Sequence, residues 1–302
     1  MIELKISDYA LIGNCRSAAL VSKHGSIDWC CLPEFDSPSI FAAILDRQKG
    51  GHFSVSPTAP YQSTQNYIRD TNVLETHFIN DEGEVRLMDA FTAMSEEEKS
   101  HTLFPDHEIL RVVEGIKGNV KMKLECVPRK FYGKDIAVLE DHKRLGIQFS
   151  WKENIHTLLS TLEPEAVQVN YSDGKVVAEF YVPSNHRVIF SLSYSSQCPA
   201  ILPELKLNGL KRMKTTIAFW QSWIQKCNYT GLYADEVKRS ALALKLLTYA
   251  PSGAIIAAPT TSLPEEPGGE RNWDYRYCWL RDASFTTRVY SIWVSKRKPM
   301  PT

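Results

Sequence analysis

Short runs in which apolar and polar residues alternate with a period of two dominate the first two hundred residues. Residues 120–127, VKMKLECV, alternate in this way. Residues 73–79 and 84–91 form two such runs around a short polar turn that contains a glycine, which is typical of a β-hairpin. Roughly ten to twelve runs of this kind, separated by turn-forming residues, precede about residue 194. The pattern predicts an antiparallel sandwich or barrel and argues against β-α-β units.

Two further hairpins are predicted by the same signal. Residues 166–182 contain two β-rich runs with the turn Ser-Asp-Gly-Lys at residues 172–175, and residues 18–32 turn at Lys-His-Gly, residues 23–25. Glycine and small polar residues favour tight turns because they tolerate left-handed backbone conformations.

Beyond about residue 205 the apolar residues follow the spacing of a helix. Residues 210–227 predict one helix, residues 233–250 a clearer one, and residues 283–295 resemble another. The apolar face of the clearer helix consists of Val237, Ala241, Leu244 and Leu247. The chain is therefore β-rich for two thirds of its length and helical for one third. About two amphipathic helices are too few to enclose a core, so they either pack back on the sandwich or belong to an unfinished helical domain.

Composition and charge exclude several classes of protein. The 35 basic residues balance 35 acidic residues, so neither a nucleic acid nor an anionic membrane gains electrostatic support as a partner. No apolar run reaches the roughly 18 residues of a membrane span, and the N-terminus lacks the pattern of a signal peptide, so we expect a cytoplasmic protein. The seven cysteines include no C-x-x-C pair and the histidines no H-x-x-x-H, which favours reduced thiols and predicts no metal or other cofactor.

Residues 268–284, GGERNWDYRYCWLRDAS, carry the chemistry expected of a carbohydrate site. Its four aromatic residues can stack on the C–H faces of a sugar ring; they are Trp273, Tyr275, Tyr277 and Trp279. Arg281 offers a fixed fork of donors to hydroxyl groups, and the neighbouring Asp282 accepts hydrogen bonds from them.

A purely structural interpretation of the same segment stays open. Asp282 precedes a helical run and is a candidate for the helix N-cap. Ordinary solvated or paired charges would account for Arg271, Asp274 and Arg276, and core packing would account for the tryptophans.

Two long segments resemble glycoside hydrolase family 15. Residues 8–46, DYALIGNCRSAALVSKHGSIDWCCLPEFDSPSIFAAILD, are similar to the trehalase-like N-terminal region of its bacterial and archaeal members. Residues 255–291, IIAAPTTSLPEEPGGERNWDYRYCWLRDASFTTRVYS, resemble the start of the family's catalytic domain. In the first segment, residues 32–38 are expected either to approach the catalytic domain or to form a structural loop, and the structural role is favoured for Glu34 and Phe35.

The resemblance implies both a fold and a substrate-binding site. It implies a β-rich plus α chain: an N-terminal antiparallel β-supersandwich over residues 1–200, a helical linker over 201–230, and the first helices of an incomplete (α/α)6 barrel over 231–302. It also implies inverting hydrolysis of α-glucosidic bonds, of the glucoamylase or trehalase type, on an α-glucoside or a trehalose-like carbohydrate. Arg281 and Asp282 would hold hydroxyls of the non-reducing glucose, and Tyr275 and Trp279 would line the same subsite.

The segments that resemble the family do not include its two catalytic glutamates. Inverting hydrolysis needs two carboxyl groups roughly 6.5–9.5 Å apart, and the family's general acid and general base glutamates are expected beyond Thr302. We therefore expect that the chain is cut off early in the catalytic domain and is inactive alone. A frameshift, an early stop or a gene fragment would each produce such an ending. One alternative is a free-standing β-sandwich that serves binding or interaction, with the helical tail as a lid. Another is a protein that acts with a second polypeptide carrying the rest of the barrel.

Overall fold

The computed structural model describes residues 4–102, 104–151, 154–196, 205–262 and 264–294. Within these ranges, sixteen strands lie before residue 196. They are β1 (Tyr9–Gly13), β2 (Ala18–Ser22), β3 (Ser26–Cys31), β4 (Ser39–Phe41), β5 (His52–Pro57), β6 (Gln62–Tyr67), β7 (Leu74–Asn80), β8 (Gly83–Phe91), β9 (Glu108–Val127), β10 (Asp135–Ile136), β11 (Val138–Asp141), β12 (Ile147–Trp151), β13 (Asn154–Ser160), β14 (Val167–Asn170), β15 (Lys175–Pro183) and β16 (Arg187–Ser195).

The described helices are fewer than the strands, and the long ones lie towards the end of the chain. Single turns are formed by α1 (Glu96–Lys99) and α2 (Lys130–Gly133), and three 3₁₀ turns occur at Ile6–Asp8, Lys143–Leu145 and Pro164–Ala166. The long helices are α3 (Leu205–Ile224), α4 (Ala234–Leu246) and α5 (Leu280–Val294). A mostly antiparallel β structure with a few helices is therefore confirmed.

The central strand β9 joins two sheets. Its first half pairs with β8 and β16, and its second half pairs with β5 and β15, all antiparallel. One sheet continues outward through β7 and β6 on one side and through β13, β12 and β11 on the other; the second sheet continues through β3, β2 and β1, and through β14. Residues 116–119, where β9 passes from one sheet to the other, are exposed.

The main core contains side chains from both sheets. Val21, Ile27 and Phe53 from one sheet and Phe78 and Phe149 from the other belong to a single buried cluster. Such burial on the inner faces is what the alternation of apolar and polar residues predicts, because successive side chains of a strand point to opposite faces. The core of the sandwich therefore lies between the two sheets.

The three predicted hairpins are confirmed, while the number of strands was underestimated. Asn80 pairs with Gly83 across the β7–β8 turn, and Asn170 pairs with Lys175 across the β14–β15 turn. At the third hairpin, β2–β3, the backbone N–H of Gly25 donates to the carbonyl of Ser22 at 2.9 Å. The estimate of ten to twelve runs fell short of the sixteen described strands because some are only two or three residues long and β6, QSTQNY, has no apolar alternation.

Helix α3 packs on the outer face of the sheet formed around the first half of β9. Leu110 and Val112 of β9 share a buried cluster with Met213 and Trp220 of α3. An ion pair at 2.8 Å joins Arg212 Nη2 to the buried Glu108 Oε1. Residues 108–115 are buried on both faces for this reason, since the sandwich core covers one face and α3 the other. Packing back on the sandwich, one of the two alternatives left open by the sequence, is thus observed for α3.

The buried face of α4 differs from the predicted one. Of the four predicted positions only Ala241 is fully buried, and Leu242 and Leu246 complete the buried face. The face is rotated because α4 packs against β1, where a methyl group added at Gly13 would lie 2.7 Å from the Leu246 side chain. Helix α4 is also held by Arg239, whose guanidinium carbon lies 4.0 Å from the centre of the Tyr67 ring. Val237, Leu244 and Leu247 are only partly buried.

Two properties concern the described ranges as a whole. No helix within them has the length and apolar character needed to cross a membrane. No group of three or more histidine, cysteine or acidic side chains in these ranges is placed to hold a metal ion. Cys15, Cys30, Cys31 and Cys126 are buried free thiols, and Cys198 lies outside the described residues.

Candidate functional site

The segment singled out from the sequence folds against the stretch that precedes it. Residues 255–262 and 273–278 run antiparallel, with a polar loop between them. Gly268 in that loop has φ of 78°, a left-handed conformation that glycine adopts without steric cost. The backbone pairs that join the two stretches are Ile256 with Cys278, Ala258 with Tyr275, and Thr261 with Asp274.

Three aromatic rings on this pair of stretches form a cluster that we call the aromatic wall: Trp273, Tyr275 and Trp279. The ring centroids of Tyr275 and Trp279 lie 5.3 Å apart, and those of Trp273 and Trp279 lie 6.4 Å apart, nearly perpendicular. Trp279 Nε1 donates to the carbonyl of Asp274 at 3.1 Å, which fixes the indole. Trp273 is 48 % exposed, so the wall lies at the surface and not in the core. Tyr277 is exposed and lies outside this cluster of contacts.

Arg281 and Asp282 lie in the first turn of α5. The helix begins at Leu280, so Asp282 is its third residue and the N-cap interpretation is wrong. The helix begins earlier because the backbone N–H of Ala283 already donates to the carbonyl of Trp279 at 2.9 Å. Arg281 Nη2 lies 3.3 Å from Asp282 Oδ2, and the two side chains are 68 % and 36 % exposed. A carboxylate here is favoured by the unpaired backbone N–H groups at the helix N-terminus.

Arg276 is buried, in contrast to its neighbours in the sequence. Its Nε and Nη2 donate to the two carboxylate oxygens of Asp274 at 3.0 and 2.8 Å. Its Nη1 donates to the carbonyls of Ser37 at 2.9 Å and Phe35 at 3.5 Å, and lies 3.4 Å from the sulfur of Cys31. Arg276 and Asp274 are therefore paired charges, as one interpretation of the sequence held; the Arg276 side chain is buried against the sandwich, while Asp274 stays partly exposed.

The Arg276–Asp274 pair shifts both pKa values towards the charged forms. Partial burial acts to raise the pKa of Asp274, but the hydrogen bonds from the Arg276 side chain and backbone outweigh it, and the pKa lies below its usual value. Burial acts to lower the pKa of Arg276, and the Asp274 carboxylate outweighs it, so the pKa of the guanidinium is raised. The pair is consequently ionised at neutral pH.

The sandwich touches this region at two further points. Trp29 Nε1 donates to the carbonyl of Pro259 at 2.9 Å. The hydroxyl of Tyr249 donates to Glu34 Oε1 at 2.6 Å. The loop of residues 32–38 thus approaches the C-terminal region through Glu34 and the carbonyl of Phe35, as one of the two sequence interpretations held. Trp29 was not singled out from the sequence, because a tryptophan in an alternating strand carries no signal that its indole N–H faces another part of the chain.

The four predicted substrate-binding residues divide into two adjacent pairs. Tyr275 and Trp279 are in ring contact. Arg281 and Asp282 form an ion pair in the first turn of the helix that follows. Arg271 is 82 % exposed, with its Nη1 at 4.0 Å from Glu265 Oε2. That the four residues bind a sugar remains a prediction.

Two family models match the chain. One, described as "Trehalase-like, N-terminal", matches residues 3–192, and the other, described as "Glycosyl hydrolases family 15", matches residues 231–295. The aromatic wall and the Arg281–Asp282 pair lie within the second match.

Several relatives are similar over nearly the whole chain. A protein named trehalase from Thermoplasma volcanium is 34 % identical over 95 % of this chain and 44 % of its own length. A trehalase from Mycobacterium tuberculosis is 31 % identical over 93 % of this chain and 43 % of its own length. The chain therefore spans less than half the length of these relatives. A solved structure of a putative kojibiose phosphorylase from human microbiome is 11 % identical and covers 82 % of this chain and 40 % of its own, with a TM-score of 0.45, which is too low to carry an argument.

Proposed function

The chain belongs to glycoside hydrolase family 15, and on this premise we propose that it provides the glucose-binding side of an α-glucosidase site of the trehalase type. Arg281 and Asp282 bind hydroxyls of the non-reducing glucose, and Tyr275 and Trp279 line the same subsite. The observation that carries the proposal is the adjacency of the aromatic wall to an exposed arginine–aspartate pair in the first turn of one helix.

The chemistry of these groups suits a pyranose ring. An aromatic face takes up the C–H face of the sugar, and tryptophan and tyrosine do so at little cost in side-chain entropy. The guanidinium of Arg281 donates two parallel hydrogen bonds to neighbouring hydroxyls, while the carboxylate of Asp282 accepts from them. The side chains of Arg281 and Asp282 are 68 % and 36 % exposed. Oδ2 of Asp282 is itself buried and makes no hydrogen bond within the described ranges, so the carboxylate keeps acceptor capacity.

Binding and catalysis are separated in this proposal. The residues assigned to the sugar hold and orient it, but none of them is one of the two glutamates that inverting hydrolysis requires. We place the general acid and general base outside these 302 residues, together with the remaining helices of an (α/α)6 barrel that α4 and α5 begin. Leu280 and Phe285 of α5, at 85 % and 64 % exposure, are apolar side chains available to pack on such helices. The chain alone then binds an α-glucoside without cleaving it.

Calorimetric titration of the purified chain with trehalose and with maltose tests the binding. The relatives named trehalase make trehalose the first ligand to try. Asp282→Ala is expected to weaken binding roughly ten- to a hundredfold, because a hydrogen bond to a charged group is worth about 1.5–3 kcal/mol. Asp235→Ala is the matched control, since Asp235 is exposed in the first turn of α4 and lies outside the site. Equal affinity of both variants, or no binding of either sugar, contradicts the assigned site.

A glucose-release assay on the same preparation tests the separation of binding from catalysis. The expected result is release no greater than the blank with trehalose, maltose and starch. Release above the blank that is lost in Asp282→Ala places a complete catalytic site within these residues and overturns that part of the proposal.

A further inference from the structure

We infer that Arg276 is a positioning residue that fixes the aromatic wall against the β-sandwich, which makes the sandwich a working part of the sugar site. The inference rests on the proposed function, because it concerns how the same site is held in shape. Arg276 itself is 6 % exposed, and its guanidinium is occupied by Asp274 and the sandwich loop.

The side chains of the stretch 273–278 have different partners. Residues 275–277 form a turn between the bridges at Asp274 and Cys278. Arg276 meets the carbonyl of Ser37 on the sandwich and the carboxylate of Asp274. Tyr275 instead packs on Trp279. Arg276 therefore attaches the stretch, while Tyr275 contributes its ring to the aromatic wall.

Arg276 makes this attachment with nearly all of its donors. Nε and Nη2 form a two-pronged contact with the carboxylate of Asp274, and Nη1 donates to backbone carbonyls of the sandwich loop. Such a contact needs the planar fork of a guanidinium, which lysine does not provide. Because the acceptors on the sandwich are backbone carbonyls, the loop has to keep its conformation for the contact to form.

Asp274 transmits the attachment to the aromatic wall. Its carboxylate is held by Arg276, and its carbonyl accepts the indole N–H of Trp279 at 3.1 Å. The path from sandwich to wall is thus Ser37, Arg276, Asp274 and Trp279, without a break. Loss of the guanidinium frees the Asp274 carboxylate and with it the peptide that orients the indole.

A second contact holds the paired stretch in the same orientation. Trp29 of β3 donates its indole N–H to the carbonyl of Pro259. The preceding residue, Ala258, donates its backbone N–H to the carbonyl of Tyr275 at 2.9 Å. The sandwich therefore fixes both strands of the pair, one through an arginine and one through a tryptophan.

The test compares Arg276→Met and Arg276→Lys with Arg271→Met, a matched control on the same loop whose side chain is 82 % exposed. Three quantities are measured on each variant: the Kd for trehalose and maltose by calorimetry, the Tm, and the indole N–H resonance of Trp279 with its rate of hydrogen exchange, assigned by its loss in Trp279→Phe. Both Arg276 variants are expected to bind roughly ten- to a hundredfold more weakly. The Trp279 indole is expected to shift and to exchange faster, while Arg271→Met matches the unmodified chain in all three.

The outcomes separate a positioning role from a purely structural one and from failure of the proposed function. A lower Tm with unchanged Kd and an unchanged Trp279 resonance overturns the inference. If the unmodified chain binds neither sugar, the proposed function fails, and the Trp279 resonance still decides whether Arg276 holds the wall. If Arg276→Met does not fold, Trp29→Phe replaces it, with the same indole shift and a smaller loss of affinity expected. No change of the resonance in that variant likewise overturns the inference.

Discussion

Asp89 of β8 and Arg111 of β9 are directly paired across the two strands, and their side chains form an ion pair that solvent does not reach. Arg111 Nε lies 2.8 Å from Asp89 Oδ1 and Nη2 lies 3.1 Å from Oδ2, with both side chains 0 % exposed. Arg111 also donates to the carbonyls of Gly25 and Phe53 in the opposite sheet. One side chain thus connects the two sheets through the core.

Replacing Arg111 by methionine is expected to lower the free energy of unfolding by about 3–5 kcal/mol, because it leaves the Asp89 carboxylate buried without its partner. Urea denaturation followed by circular dichroism measures the change. Arg144→Met is the control, since Arg144 is 85 % exposed and lies 3.9 Å from Glu163; a change of about 0–1 kcal/mol is expected there. Equal midpoints for the two variants contradict the structural role of Arg111.

The turn at Gly25 is expected to be intolerant of any side chain. Gly25 has φ of 71°, and a methyl group there would lie 2.4 Å from the carbonyl oxygen of Val55. Gly25→Ala therefore combines the cost of a left-handed conformation, about 1–2 kcal/mol, with a collision against backbone that cannot move aside.

Gly253→Ala separates these two costs. Gly253 has φ of 74°, but a methyl group there meets nothing within 4 Å among the described residues. It is expected to cost only the conformational part, about 1–2 kcal/mol, and Gly25→Ala at least about 1–3 kcal/mol more. Thermal and urea unfolding of the pair measure the difference. A similar loss for both alanines argues against the close approach of Val55.

His156 is expected to make the sandwich acid-sensitive. Its ring is buried between Trp151 and Tyr194, at centroid distances of 5.5 and 5.3 Å. Neither ring nitrogen has a hydrogen-bond partner within the described ranges. Burial, with a smaller contribution from the charge of Lys130, lowers the pKa of His156 to about 3. The imidazole is therefore neutral in the folded protein.

The sign of the pH dependence follows from this shift. In the unfolded chain the histidine takes up a proton near pH 6.5, whereas in the folded chain it does so only near pH 3. Stability is thus fully present above about pH 6.5 and falls by up to about 1.4 kcal/mol per pH unit on acidification towards pH 3. His156→Phe is expected to flatten the slope of unfolding free energy between pH 6.5 and 4. His101→Gln, at an exposed position, is expected to keep it; identical slopes in the two variants contradict the prediction.

The strands were predictable where the information is local. Turn residues at Gly25 and at residues 172–175, together with the alternating runs around them, determine hairpins whose two strands are neighbours in the sequence. Strand β6 escaped because its side chains are mostly polar on both faces, and β7 is the one strand with which it pairs within the described ranges. The role of β9 could not be predicted either, since the change of partners in mid-strand depends on β5, β15 and β16, whose paired residues lie about 50 to 85 positions away in the chain.

The residue types of the candidate site were predictable from the sequence, but the contacts that hold the site against the sandwich were not. The aromatic and charged residues of 273–282 stand together in the sequence, so their types already indicate sugar binding. The docking of Arg276 depends on Ser37 and Cys31, more than two hundred residues earlier, and no periodicity in either segment encodes that contact. The rotated face of α4 has the same cause, because the packing partner decides which of several apolar positions is buried.

Strand β9 finally has a consequence for how the chain reaches its fold. This strand of 20 residues pairs with β5 and β8, which precede it in the sequence, and with β15 and β16, which follow it. Most of these pairings close long loops, whose entropy has to be lost before the contacts form. Because β9 belongs to both sheets, a slip of one residue along it would turn its own side chains to the wrong face in each sheet. We therefore expect the two sheets to form together, once β16, which ends at Ser195, is available to pair.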